Sequence, residues 1–163
     1  MTDAVIIETV DYIALRRLQN AYADIVSRRA VDELETVFRP DMTLTMTSPG
    51  VGGTRVFNGP VEIGHMIGEA ISPLDHFQFT ILNTVIRIGV DGDPDVAMAR
   101  MYIWETRSDR SSGGRNDIFG VYHDRFVRID GRWWFAERIY RRMANTGPEL
   151  STYGFPSELN DFI

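Results

Sequence analysis

Residues 121–142, VYHDRFVRIDGRWWFAERIYRR, decide the fold class of this chain. Apolar and polar residues alternate on both sides of Asp130-Gly131, a dipeptide typical of the tight turn between two antiparallel strands. Each flanking segment is longer than the five or six residues of an ordinary strand. The stretch therefore predicts a hairpin of two long strands, and a long antiparallel sheet has to twist and curl.

Alternating patterns also come before this hairpin. They run through residues 77–90 and 96–106, with the turn signal Asp91-Gly92 between them, and a shorter one covers residues 42–46. These segments predict further strands of the same sheet.

Helical spacing of apolar residues dominates the first part of the chain. It runs from Val10 to Ile25 and again from Ile63 to Ala70, after a Gly-Pro start typical of a first helical turn. A second short helix is predicted through Leu34–Phe38, with Asp32 as its capping residue and a proline at its end. Helices followed by antiparallel strands predict an α+β fold, with three N-terminal helices inside a strongly curved sheet.

Length and composition limit the function classes. The 163 residues suffice for one domain, and 17 basic against 23 acidic residues give a net charge of −6, which argues against nucleic-acid binding. The chain contains no cysteine, so a disulfide framework and a thiol nucleophile are excluded. We predict a cytoplasmic protein without membrane attachment, because no apolar run is long enough to span a bilayer and the N-terminus carries an acid where a signal peptide has basic residues.

The order and spacing of four segments resemble the SnoaL-like family of the nuclear-transport-factor-2-like superfamily. The segments are YADIVSRRAVDELETVFRPD (22–41), FNGPVEIGHMI (57–67), DHFQFTI (75–81) and the hairpin 121–142. The resemblance implies a cone-shaped, mostly antiparallel sheet wrapped around the N-terminal helices, with an open mouth that binds small molecules. We expect this domain to cover residues 1–143 and an irregular tail, residues 144–163, to pack on it or on a partner subunit.

Within the family, the bile acid 7α-dehydratase and scytalone dehydratase patterns are the most similar. The scytalone dehydratase pattern matches convincingly only at His76, and the bile acid 7α-dehydratase pattern implies a set of catalytic residues. Tyr22 matches a tyrosine of the first helix, His76 a histidine that starts a central strand, Glu105 an acid of the next strand, and Arg142 an arginine late in the last strand. Ser27 stands where the bile acid dehydratase pattern has an aspartate.

These residues fit proton removal beside a carbonyl group. Histidine side chains titrate near neutral pH, so His76 is predicted to be the general base. Tyr22 would donate a hydrogen bond to the developing oxyanion, while Glu105 and Arg142 position the substrate or tune the base. Ser27 can hydrogen-bond an imidazole but does not stabilise its charged form as an aspartate does.

Each of these residues also has an ordinary structural interpretation. A histidine beside two phenylalanines at a strand start is usually structural, and a tyrosine on an apolar helical stripe usually belongs to the core. Glu105 would then lie at the solvent-exposed end of its strand, and Arg142 would pair with a nearby carboxylate or face solvent.

Aromatic residues crowd the predicted strands, and alternation sends about half of them to each face of the sheet. One face should line a pocket for a hydrophobic ligand, and the other should be buried in a homo-oligomer, a dimer or trimer. The predicted lining of the pocket, in addition to the catalytic set, consists of Ser27, Tyr102, Trp104, Phe119, His123 and Tyr140.

The sequence carries no Walker A loop, dinucleotide fingerprint, GxSxG elbow or HExxH motif, and we predict neither a cofactor nor a bound metal. The first hypothesis is therefore a cofactor-free lyase (dehydratase) or isomerase acting on a steroid, polyketide or aromatic substrate. A binding protein of the same fold without chemistry is the second. A structural subunit similar to the small subunit of ring-hydroxylating dioxygenases is the third.

Overall fold

A computed structural model of the chain describes residues 3–47, 53–147 and 150–162. Its two α-helices are α1 (Asp3–Ser27) and α2 (Gly59–Ile71), and three short 3-10 helices cover Val31–Thr36, Val90–Gly92 and Ser157–Phe162. The strands are β1 (Phe38–Thr47), β2 (Thr54–Asn58), β3 (Leu74–Ile88), β4 (Val96–Asp109), β5 (Arg115–Ile129), β6 (Arg132–Asn145) and β7 (Ser151–Thr152).

One sheet contains all seven of these strands, in the order β2-β1-β6-β5-β4-β3, with β7 added beside β6. Every neighbouring pair is antiparallel except β1 and β6, which run parallel. The sheet curls without closing, and α1 packs against β3 while α2 packs against β1. The predicted α+β fold with a curved, mostly antiparallel sheet is confirmed.

The hydrophobic core lies between the helices and the concave face of the sheet. Its members share one row of each strand and the inner stripe of each helix; they include Leu15, Tyr22, Ile63, Ile67, Phe77, Phe79, Met101, Ile103, Tyr122, Phe126 and Phe135. Because strand residues alternate between the faces, the neighbours of these residues in sequence point to the convex side.

The second predicted helix is tighter than expected, and it begins and ends earlier in the chain. It is a 3-10 turn over Val31–Thr36 whose capping position is Ala30, and no side chain caps it, so the predicted role of Asp32 is wrong. Phe38 already belongs to β1, and Pro40 lies where the pairing of β1 with β6 is interrupted. Proline has no N–H for the ladder, which accounts for the interruption at this place. The predicted loop 48–54 lies largely outside the described residues.

The C-terminal segment crosses the convex face. The predicted boundary after residue 143 falls inside β6, and two short regular elements follow where none was predicted. Arg100 of β4 donates through Nη2 to the carbonyl oxygens of Leu159 (2.7 Å) and Asn160 (3.1 Å), and Phe155 packs against His123. Leu159 is buried.

Within the described part of the chain, none of the helices combines the length and the apolar composition that crossing a bilayer requires.

Candidate functional site

A cavity of about 70 Å³ opens on the concave side of the sheet, between α1, α2 and the strands. Its lining is apolar apart from four groups, two tyrosines, one carboxylate and one guanidinium. The lining residues are Tyr22, Val26, Leu44, Met46, Met66, Ile67, Ala70, Ile71, Phe77, Phe79, Glu105, Arg107 and Tyr122. A small number of polar groups in an apolar concavity is the usual composition of a ligand site.

Strand pairing explains why these side chains meet. Phe79 is paired with Glu105 and Phe77 with Arg107 across β3 and β4, so all four point to the same face. Tyr122 lies on that face of β5, and Tyr22 reaches it from α1, with its ring centroid 5.4 Å from that of Phe79. The rows of three strands and one turn of a helix thus converge on the cavity.

The two tyrosines form its buried polar floor. Burial raises the pKa of Tyr22, while the charge of Arg138 and a hydrogen bond with Tyr122 oppose the rise. Burial, with the neighbouring Tyr22 and Glu105, holds the pKa of Tyr122 well above its usual value. Both phenols therefore stay protonated at neutral pH and keep an O–H group for donation.

Glu105 is the carboxylate of the cavity, and 7% of its surface is exposed. It is ion-paired with Arg107, which donates to Oε2 from Nη2 and, at 3.1 Å, from Nε. The Arg107 guanidinium also lies 5.9 Å from the ring centroid of Phe77. The Glu105 side chain is thereby held among apolar side chains and two phenols.

A second, deeper ion pair lies behind the tyrosines. Arg138 donates to both oxygens of Asp124 at 2.6 and 3.0 Å, and both side chains are fully buried. The guanidinium carbon is 4.1 Å from the ring centroid of Tyr22 and 4.3 Å from that of Tyr122. Burial raises the pKa of Asp124 even beside Arg138. The stacked cation holds both rings in place below the cavity.

Tyr140 and Arg142 extend the polar group along β6. Burial and the charge of Glu105 raise the pKa of Tyr140, whereas Arg142, Arg107 and a hydrogen bond from Arg142 oppose that rise. The ring of Tyr140 lies over Gly120, where a Cβ atom would come within 2.5 Å of Tyr140 Cε2. Glycine at this position therefore makes room for the ring.

A metal site in a protein needs several histidine, cysteine, aspartate or glutamate side chains close together. Among the described residues, no group of three or more histidine, aspartate and glutamate side chains is arranged to hold a metal ion.

Residues 8–139 match the family model of the SnoaL-like domain, which is most of the chain. The chain belongs to the SnoaL-like domain family.

Solved structures of similar proteins have the same fold. A proposed scytalone dehydratase from Novosphingobium aromaticivorans superposes with a TM-score of 0.75 at 18% identity, covering 94% of this chain and 97% of that one. A hexachlorocyclohexane dehydrochlorinase, LinA-type3 from Novosphingobium barchaimii, superposes with a TM-score of 0.73 at 17% identity. The match covers 93% of this chain and 99% of that one. A protein with a cystatin-like fold from Caulobacter vibrioides superposes with a TM-score of 0.65 at 14% identity. The match covers 81% of this chain and 89% of that one.

Of the residues that the family resemblance selects, Tyr22 and Glu105 meet at the cavity, and Arg142 and Tyr140 lie beside them. His76 does not join them. Its side chain is exposed, and it lies on the row of β3 opposite to Phe77 and Phe79. Its position gives no support to a role as base, which stays a prediction.

Ser27 contacts a different strand residue from the one expected. Its Oγ accepts a hydrogen bond from the backbone N–H of Phe79 at 3.1 Å and donates to the carbonyl oxygen of the same residue at 3.4 Å. The residue beside Ser27 is therefore Phe79, and His76 lies three positions earlier on the strand. Ser27 is therefore bonded to the backbone of β3 and makes no hydrogen bond with the imidazole of His76 among the described contacts.

The other predicted lining residues lie on the convex face. Trp104 stacks on Phe119, with 6.1 Å between ring centroids, and His123 accepts a hydrogen bond at Nε2 from Arg100 Nε at 2.9 Å. Tyr102 shares the row of Trp104, so none of these four lines the cavity. Adjacent strand residues face opposite ways, so a row that includes Glu105 excludes Trp104.

Sequence reasoning missed Tyr122, Arg107 and the buried pair Asp124–Arg138. Strand parity was a usable signal for Arg107, which follows Glu105 by two positions. No local signal marks Arg138 as buried, because arginines on strands are ordinarily exposed.

Proposed function

We propose that this SnoaL-like protein is a cofactor-free lyase (dehydratase) or isomerase that removes a proton beside the carbonyl of a hydrophobic, oxygenated small molecule. Glu105, rather than the His76 predicted from the sequence, is the proposed base. The dehydratase and dehydrochlorinase among its structural relatives are consistent with this reaction class.

One observation carries the proposal: a buried carboxylate and two protonated phenols line the same apolar cavity. Glu105 takes the α-proton, and the electrons of the broken C–H bond move to the carbonyl oxygen. The O–H group of Tyr22 donates a hydrogen bond to the resulting enolate oxygen, and Tyr122 supports Tyr22 through the hydrogen bond between the two phenols. Return of that proton from Glu105 to another carbon completes an isomerisation. In a dehydration, the enolate re-forms the carbonyl, its electrons make the new C=C bond, and the β-hydroxyl leaves as water with the proton that Glu105 gives up.

The size of the cavity limits how the ligand is bound. About 70 Å³ is well below the roughly 300–1,000 Å³ typical of sites for drug-sized ligands. The cavity admits the oxygen-bearing end of a ligand, and the larger apolar part occupies the mouth near Met46 and Met66. Methionine side chains are flexible enough to repack around such a part.

Proton abstraction is measurable without the natural substrate. We would incubate the protein with apolar ketones, indanone and tetralone, in D₂O and follow loss of the α-proton signals by NMR. The native protein should accelerate exchange over the protein-free rate. Glu105→Gln should slow it by at least about a hundredfold, the usual scale of general-base catalysis. Tyr22→Phe should cost roughly a hundredfold, as for loss of one oxyanion donor.

Two control variants separate the proposed base from other effects. Glu137→Gln removes an exposed carboxylate from the convex row of β6 and should leave exchange unchanged. His76→Gln tests the base predicted from the sequence. Loss of exchange in His76→Gln, with exchange retained in Glu105→Gln, would assign the base to His76 and overturn our proposal.

A binding protein without chemistry is the second candidate. It is favoured by the ion pair with Arg107, which occupies Glu105, and by the phenylalanine beside Ser27. Ketones that bind the native protein but exchange no faster than in buffer would decide for this function.

We also propose that the aromatic convex row, Tyr102, Trp104 and Phe119, contributes to a dimer or trimer of this chain, which works in the cytoplasm. Sedimentation should show a species larger than a monomer at micromolar concentration. Trp104→Ser should shift it toward the monomer, and the exposed control Val61→Ser should not. A native protein that sediments as a monomer would contradict this.

A further inference from the structure

Arg142 is a cation with an unpartnered donor at the edge of the site. It lies on the inward row of β6, two residues after Tyr140 and opposite Gly120. Its Nε atom is buried without a hydrogen-bond partner, and the residues that the structure describes offer it no ion pair. A buried, charged donor without a hydrogen-bond partner costs free energy. A ligand that places an acceptor at this position would therefore be bound strongly.

The charges around it do not balance. The charges of Glu105, Arg107 and Arg142 all act on the phenol of Tyr140. Glu105 is already paired with Arg107, so one positive charge is in excess at this end of the cavity. The chain as a whole carries −6 and repels anions, which makes the excess a local property of the site.

We propose that the ligand of this cavity carries a carboxylate that pairs with the Arg142 guanidinium, while its apolar part lies on Met46, Met66 and Phe77. This ligand class rests on the proposed function, since the inference assumes that the cavity is the ligand site. A single excess charge matches a monoanion, whereas a doubly charged phosphate would leave one negative charge uncompensated. The planar guanidinium fork also matches the two oxygens of a carboxylate.

The test compares two probes of the same shape. Hydrocinnamate carries an apolar ring and a carboxylate, and hydrocinnamamide is its uncharged counterpart. Calorimetric titration of the native protein should give a dissociation constant for the acid at least about tenfold lower than for the amide. Arg142→Gln should abolish the preference, and Arg142→Lys should keep part of it, because a point charge remains without the fork. Arg141→Gln, the adjacent arginine of the opposite row, should keep it fully.

Every outcome is decisive. Equal dissociation constants for the two probes, no binding of hydrocinnamate, or a preference that survives in Arg142→Gln overturns the carboxylate site. The first two outcomes need no variant, so a failure of Arg142→Gln to fold does not protect the proposal. Exchange from indanone and tetralone is independent of this result, because both ketones are uncharged. If the native protein does not accelerate α-proton exchange but still binds hydrocinnamate more tightly than hydrocinnamamide, the assignment of Glu105 as base is overturned and the carboxylate site at Arg142 stands.

Discussion

Ser27 shows how one residue joins two elements of this fold. Its hydroxyl accepts from and donates to the backbone of Phe79, so the end of α1 is tied to β3. Both groups that the Ser27 hydroxyl contacts belong to the backbone of Phe79, so this hydroxyl serves to position α1 on β3.

An acid–histidine pair can be built at this place by substitution. Ser27→Asp with Phe79→His should create a carboxylate–imidazole pair, and the double variant should exchange ketone α-protons faster than either single variant. A double-mutant cycle in urea should show a coupling free energy of at least about 0.5 kcal/mol, the lower end for contacting residues. Additive stabilities with unchanged exchange would mean that the two side chains do not meet.

Among the elements, β6 contains a β-bulge that determines which of its side chains face the site. The register of β5 and β6 shifts between the pairs Arg125–Glu137 and Phe126–Phe135, so Ala136 is an extra residue. Strict alternation from Phe135 would turn Glu137 inward. The bulge instead turns Arg138 inward, where it meets Asp124 of β5.

This buried pair should be costly to break from one side. Arg138→Met leaves Asp124 uncompensated and should lower the free energy of unfolding by about 3–5 kcal/mol. The double variant Asp124→Asn, Arg138→Met should recover most of that loss. Equilibrium urea unfolding measures both.

The matched control is the exposed Arg28, which bridges Asp24 and Glu33. Arg28→Met should cost less than about 1 kcal/mol, as exposed ion pairs usually do. A loss at Arg138 no larger than this would contradict the assigned burial of the pair.

The order of elements was predictable from the sequence, and parts of the site were not. Asp130-Gly131 predicted its hairpin correctly because the dipeptide favours the positive φ that the turn uses, 50° and 77° here. Tyr22 and Glu105 were found through their family pattern and meet at the cavity. His123 and Trp104 were predicted to line the pocket but lie on the convex face, because alternation alone does not tell which row faces inward. No local pattern shows a bulge at Ala136. Long-range pairing fixes such positions, and it is absent from any short window of sequence.

At the scale of the whole molecule, three of the six tyrosines couple stability to pH. Burial raises the pKa of Tyr22, Tyr122 and Tyr140 above the value of 10.0 that an unfolded chain has. Above pH 10 the unfolded state therefore binds fewer protons than the folded state, and stability falls as pH rises. Below that pH these groups contribute no pH dependence.

An alkaline titration should show this coupling. Three tyrosinates, followed by near-ultraviolet absorbance, should form only together with the loss of circular dichroism. Tyr140→Phe should remove one of the three from that late phase. Formation of all six tyrosinates while the dichroism is still native would show that the phenols are accessible.

The parallel pairing of β1 with β6 sets the order in which this chain matures during translation. β1 leaves the ribosome early with β2 on one side, but its other neighbour is synthesised only after β3, β4 and β5. Until then β1 presents an open edge, the kind of surface that recruits other chains, and contacts this distant in sequence form slowly. One side of β1 therefore stays unpaired until β6, which ends at Asn145, has been synthesised, and an unpaired strand edge is prone to aggregation at that stage.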